Sequence, residues 1–179
     1  MTIEAESQGR PDQSGLLKAY KNLLKVLDRM SYVVIVAVMS VMTCLVALQV
    51  FHRYALSSSI DSADELSRLF FVWAIFLAIP HGVKYGVHVG IDLIVLMLPE
   101  RWQVRMFRFS AGLGALLMVV MLAVSWTATM DKWPELMPTM PVTAALFYIP
   151  VLISVGHSFL HLVALVWGGP STWAGESEL

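Results

Sequence analysis

The chain has 179 residues, 58% of them hydrophobic and 14% charged, and a mean hydropathy of +0.71. Soluble domains are nearer half apolar and a quarter charged, so this composition excludes an ordinary soluble enzyme and indicates an integral membrane protein. A formal net charge of −1 gives no basis for nucleic-acid binding, and the single Cys44 cannot close an intramolecular disulfide.

In chain order, residues 1–14 are polar, carry Gly9 and Pro11, and read as a disordered cytosolic tail. In residues 15–30, Leu16, Tyr20, Leu23, Leu24 and Leu27 recur at three- and four-residue spacing. Lys18, Lys21, Lys25 and Arg29 lie mostly on the other side. This pattern predicts an amphipathic helix along the inner membrane surface, with a cytosolic continuation of the first span as the other arrangement it permits. Residues 31–51 are free of charge and long enough to cross about 30 Å of hydrocarbon. They lack a small-residue cleavage site and are expected to remain as span one rather than to act as a signal peptide.

Span two, residues 63–86, has only fifteen uncharged residues, Leu69 to Val83, which reach about 22 Å. Its helix must extend into charged flanks, with Arg68 and Lys84 snorkelling toward opposite interfaces. Ser62 followed by Glu65 is a capping-box pattern, and Pro80 removes one backbone hydrogen bond near the far end. Residues 87–98 are apolar but short, interrupted by His88, Gly90 and Asp92 and closed by Pro99, which suits an interfacial segment. Arg101, Arg105 and Arg108 follow as a basic stripe. Span three covers 107–130, with Trp126 and Trp133 toward one interface. Span four covers 142–167, with Pro150 inside it, and 168–179 form a second cytosolic tail.

The expected fold is therefore an all-α membrane protein. It has four transmembrane helices (about 31–51, 63–86, 107–130 and 142–167, within a membrane domain 31–167), an N-terminal amphipathic surface helix (15–30) and a short interfacial segment between spans two and three. Lysines and arginines set its orientation. Five lie in residues 1–30 and four in 84–108, against Arg53, Arg68 and Lys132 on the other side. The bias predicts a multi-pass membrane protein with both termini cytoplasmic.

The chemistry available to such a chain is sparse. HExxH, GxSxG, Walker and CxxC motifs are absent, so an enzyme is not expected, and no catalytic, cofactor-binding or metal-binding residue is assigned. His157 and His161, four apart on one face of span four, are of the type that ligates metal or haem. Alternatively, His157 bonds across helices and His161 sits near the inner interface. A haem-binding anchor subunit of a respiratory complex is thus one functional class, although span one offers no facing histidine. A channel or transporter acting alone is another. Small-residue faces occur at Gly82, Gly86 and Gly90, and in span three at Ser110 with Gly114 and Ala111 with Ala115.

Residues 53–92 carry a more specific pattern. It comprises Arg53-Tyr54, then Asp64-Glu65-Leu66-Ser67-Arg68, then Phe71-Val72-Trp73, then Lys84 four residues before His88-Val89, and Asp92-Leu93. In order and spacing this stretch resembles the small membrane subunit of tripartite ATP-independent periplasmic (TRAP) transporters, the DctQ type. Two departures are that Ile60-Asp61-Ser62-Ala63 stands where the family often has a Trp, and that Lys84 stands where Arg is more usual.

The resemblance implies a subunit without catalytic chemistry that scaffolds a large multi-span transport subunit. A periplasmic substrate-binding protein would deliver an organic acid, and sodium coupling would reside in the partner. The residues it singles out for structural or subunit-contact roles are Arg53, Glu65, Arg68, Lys84, His88 and Asp92. Glu65 is expected to cap its helix and pair with Arg68, and Asp92 to cap or to pair with Lys84 or the arginine stripe.

Overall fold

The computed structural model describes residues 11–58, 61–84 and 99–168. Within them the chain forms α1 (Pro11–Ala55), α2 (Asp61–Lys84), α3 (Glu100–Asp131), a 3-10 turn η1 (Ala144–Phe147) and α4 (Ile149–Gly168). Four of these segments are long and apolar enough to cross a membrane, so the protein is an all-α membrane protein. The expected interfacial segment, with His88 and Asp92, and both terminal tails beyond these limits lie outside the described residues.

The helices pack in the order α1, α2, α4, α3, with α4 at the centre. The reason lies in composition. α4 buries the small or polar Ser154, His157, Ser158, His161 and Ala164, which let neighbouring helices approach, together with the apolar Val155, Leu162 and Leu165. Along α3, Ala111 is buried, and a Cβ on Gly114 would stand 3.4 Å from a methyl of Leu162. The small-residue face of span three is thus the surface that receives α4. The outer faces of α1 and α3 keep their large apolar side chains exposed, among them Val33, Val50, Leu116, Leu117 and Val124. In water such faces would be a liability; in a bilayer they are the solvated surface.

At residues 15–30 the structure takes the second of the two arrangements the pattern permits. The amphipathic stretch 15–30 is helical, but it is not a separate helix lying on the membrane surface. It is the first part of a 45-residue α1 that runs without interruption into span one. At 1.5 Å per residue α1 extends about 67 Å, more than twice the hydrocarbon thickness. Its apolar side has a better partner than lipid: Leu24 is fully buried in a cluster with Ala111, Leu162, Ala164 and Leu165, flanked by Tyr20, Leu27 and Phe107. The Tyr20 hydroxyl donates to the Leu160 carbonyl at 2.8 Å, adding a polar tie between α1 and α4.

Span four lies where it was expected, over Ala144–Gly168, and is built from two pieces. η1 ends at Phe147, Tyr148 forms the joint, and Pro150 occupies the first turn of α4. Proline at that position removes an N–H that would have no intrahelical acceptor anyway, so it starts the helix instead of kinking it.

The end of the bundle that carries the α3–η1 connection is ordered by short polar ties. The α3–η1 connection folds back on itself through Met137 N–H to Val142 O and Ala144 N–H to Glu135 O, both 2.8 Å. Thr143 Oγ1 donates to Trp133 O at 2.8 Å and accepts from Ala145 N–H, capping η1. Trp73 Nε1 of α2 donates to Leu146 O at 3.0 Å, and Gln49 of α1 donates to Asp64 of α2 at 2.7 Å.

Candidate functional site, a buried polar cluster joining three helices

The largest concentration of buried polar chemistry lies where α1, α2 and α4 meet. Asp28 supplies its anion. This residue falls one turn beyond Leu24 and two beyond Tyr20, on the apolar side of α1, so the same periodicity that buries Leu24 carries a carboxylate into the bundle. His157 and His161, one turn apart on α4, present their rings to it. His161 Nε2 lies 2.8 Å and His157 Nε2 3.1 Å from Asp28 Oδ1. The His161 contact is a hydrogen bond, whereas the His157 nitrogen is close enough for an ion pair but not aligned for a hydrogen bond. Asp28 Oδ2 faces Lys84 Nζ of α2 at 3.1 Å, with each side chain 10% exposed. His81 completes the ring of groups: its Nε2 shares a 2.7 Å hydrogen bond with Ser31 Oγ, and its ring stands edge-on to His157 with centroids 6.3 Å apart.

The energetics of this cluster are finely balanced. Unit charges 3.1 Å apart attract by about 5 kcal/mol at an effective dielectric of about 20. Withdrawing each ion from water costs several kcal/mol, so a bare Asp–Lys pair would at best break even. Imidazole donation to the carboxylate adds charge-assisted hydrogen bonding that the pair alone lacks. The arrangement fixes geometry more than it adds stability. One carboxylate sets the rotational registers of three helices, because it must meet α2 through one oxygen and α4 through the other.

Besides His157 and His161, Lys84 is the described residue among those singled out for structural or subunit-contact roles that belongs to this cluster. It does not snorkel to the interface but is buried against Asp28. The reason is the closer anion: Asp28 comes from a helix expected to lie outside the bundle. Glu65 serves the opposite end. Its carboxylate accepts from Thr139 N–H at 2.9 Å and from the Thr139 hydroxyl, tying α2 to the α3–η1 connection. α2 begins at Asp61, one residue ahead of the expected capping serine, and the Glu65 carboxylate is directed across to that connection. Arg68 is exposed on α2, and Arg53 is exposed in the last turn of α1. His88 and Asp92 lie outside the described residues.

Asp28, His81 and Ser31 were not identified from sequence. The signal for Asp28 was present as an acidic residue in register with Tyr20 and Leu24, but surrounding lysines made it resemble part of a solvated face. His157 and His161 were identified as a pair; their acceptor was not.

The comparisons with known proteins agree with this architecture. The sequence model of the family described as "Tripartite ATP-independent periplasmic transporters, DctQ component" matches residues 42–169. The chain is 25% identical to a protein named as a TRAP transporter small permease of Haemophilus influenzae, over 88% of this chain and 94% of that protein. It is 28% identical to the C4-dicarboxylate TRAP transporter small permease protein DctQ of Rhodobacter capsulatus, over 52% of this chain and 53% of that one. These matches favour the transporter subunit over the haem-bearing anchor. With four bilayer-length helices and a family match across most of its length, the chain belongs to the DctQ family, the small membrane subunits of TRAP transporters, and is a transport component and not an enzyme.

Proposed function

We propose that this chain is the fixed scaffold of a sodium-driven transporter for an organic acid. It would hold a large multi-span transport subunit in the bacterial inner membrane, with both its own termini in the cytoplasm, while a periplasmic binding protein delivers the substrate. The observation that carries this reading is the division of the molecule into a cross-tied interior and bare apolar flanks. Asp28 locks α1, α2 and α4 together, whereas the outer faces of α1 and α3 are unpacked and available to another membrane protein or to lipid. A transporter that moves one part against another needs an immobile part, and a bundle held by a buried ionic cluster resists sliding of its helices. The described residues also offer too few membrane-buried charges for an ion and substrate pathway of their own.

Arg53 and Arg68, exposed at the non-cytoplasmic ends of α1 and α2, are assigned to subunit contact, and Glu65 and Lys84 to internal support. His88 and Asp92 are assigned to the cytoplasmic side of the same interface. The name of the R. capsulatus relative makes C4-dicarboxylates the first substrates to test.

The test is purification of the tagged chain from its native membrane in a mild detergent, with mass spectrometry of what accompanies it. A large multi-span membrane protein is the expected companion, and co-reconstitution of the two with the binding protein should give uptake that requires a sodium gradient. Transport by this chain alone, or recovery with flavin and iron–sulfur subunits and a haem absorbance, would overturn the reading.

A further inference from the structure

We propose that Asp28, His157 and His161 form a binding site for a divalent transition-metal ion of the zinc type, held between α1 and α4, with Lys84 as the resident cation that the metal displaces. The donor set is a carboxylate oxygen and two imidazoles, the ligand types that zinc and cobalt(II) share. The two histidines sit at i and i+4 on one helix, a spacing that brings both rings to one side of a single ion. All three residues are buried, and their ligand atoms lie within 4.8 Å of one another. Donors about 2.1 Å from one tetrahedral ion lie about 3.4 Å apart, so side-chain movement of about 1–1.5 Å completes the set.

Two further observations point to a ligand. His157 Nε2 is buried, is aimed at Asp28 Oδ1 from 3.1 Å, and forms no hydrogen bond there. An imidazole nitrogen in that position is better satisfied by a cation between it and the carboxylate than by the carboxylate alone. Lys84 already demonstrates that the pocket accepts positive charge, through an ammonium 3.1 Å from Oδ2. The flexible four-carbon stem of Lys84 lets its ammonium swing away from Oδ2 when a metal takes its place. Three protein ligands leave a fourth position for water or another exchangeable donor. The ion would staple α1 to α4 more firmly than the hydrogen bond it replaces.

The experiment uses full-length protein in detergent, freed of any histidine tag and stripped with chelator, and titrated with Co2+ and then Zn2+. The expected result is saturable 1:1 binding with the intense visible absorption of four-coordinate Co2+, its loss on Zn2+ addition, and a Zn2+-dependent rise in melting temperature. His157→Asn and His161→Asn should each weaken binding at least tenfold. His52→Asn, remote on α1, should leave it unchanged. Lys84→Met should strengthen binding, because it removes the competing cation, a sign that a purely structural hydrogen-bonded cluster would not give. Should a variant fail to fold, the wild-type Co2+ spectrum and its loss on Zn2+ addition still decide the matter. Absence of saturable binding by the wild type at 100-fold molar excess of Co2+, or binding by both histidine variants as tight as that of the wild type, would overturn the proposal.

Discussion

Asp28 and His161 stand 133 residues apart in sequence and meet at 2.8 Å, Oδ1 to Nε2, in the interior of the helix bundle. The contact joins the helix that begins the described chain to the helix that ends it, and Lys84 brings the intervening α2 to the same carboxylate.

Removal of either member of the Asp28–Lys84 pair should be costly, since it leaves the other charge buried. Asp28→Leu or Lys84→Leu in the absence of metal should each destabilise the bundle by about 3–5 kcal/mol. The double substitution should recover most of that loss, because two apolar residues replace two desolvated ions. Thermal unfolding of the four proteins in detergent, arranged as a double-mutant cycle, measures the coupling directly. Equal and additive losses would show that the pair is not coupled.

At the other end of the molecule, Glu65→Gln should leave the helices intact but loosen the α3–η1 connection. Its two contacts from Thr139 are partly exposed, so the cost is about 1 kcal/mol or less. Amide hydrogen exchange should quicken in residues 132–143 while α1 and the centre of α4 stay protected. Unchanged exchange in that connection would mean that its own turn hydrogen bonds suffice.

Trp73→Phe tests a hydrogen bond from an aromatic residue within the family-like stretch. It keeps most of the ring volume and deletes only the donor to Leu146 O. Polar contacts between membrane helices average about 0.6 kcal/mol, so a small drop in melting temperature is expected, with assembly preserved. A large loss of assembly would assign Trp73 to the subunit interface instead.

The exposed Lys132–Glu135 pair gives a pH prediction with a definite sign. The Glu135 carboxylate, hydrogen-bonded to Lys132 Nζ at 2.7 Å, raises the lysine above its ordinary value of 10.5. A raised folded-state value means that the pair's contribution is fully present below pH 10.5. It is lost only as pH climbs through the higher folded value. The stability difference between the wild type and Lys132→Met should therefore be constant between pH 7 and 9 and should disappear only in strong alkali. A difference that changes between pH 7 and 9 would rule out this assignment.

The sequence by itself determined the class of protein and its four membrane-length helices, and it carried an expectation for their orientation. Charge-free runs of bilayer length, Trp126 and Trp133 near one boundary, and the lysine and arginine bias are one-dimensional signals, because the membrane is a slab that reads each segment separately. The family-like spacing from Arg53 to Asp92 was legible for the same reason, being local in the chain. Only tertiary structure decided the buried cluster. Whether Asp28 faces cytosol or the bundle depends on which partner covers the apolar side of α1, and that partner, α4, lies more than a hundred residues away. Lys84 followed from the same cause, since a lysine at a helix end snorkels or turns inward according to where the nearest anion lies. Hydropathy weighs each residue against lipid and water; helix-to-helix register, which places one carboxylate among an ammonium and two imidazoles, is a property of the packed bundle.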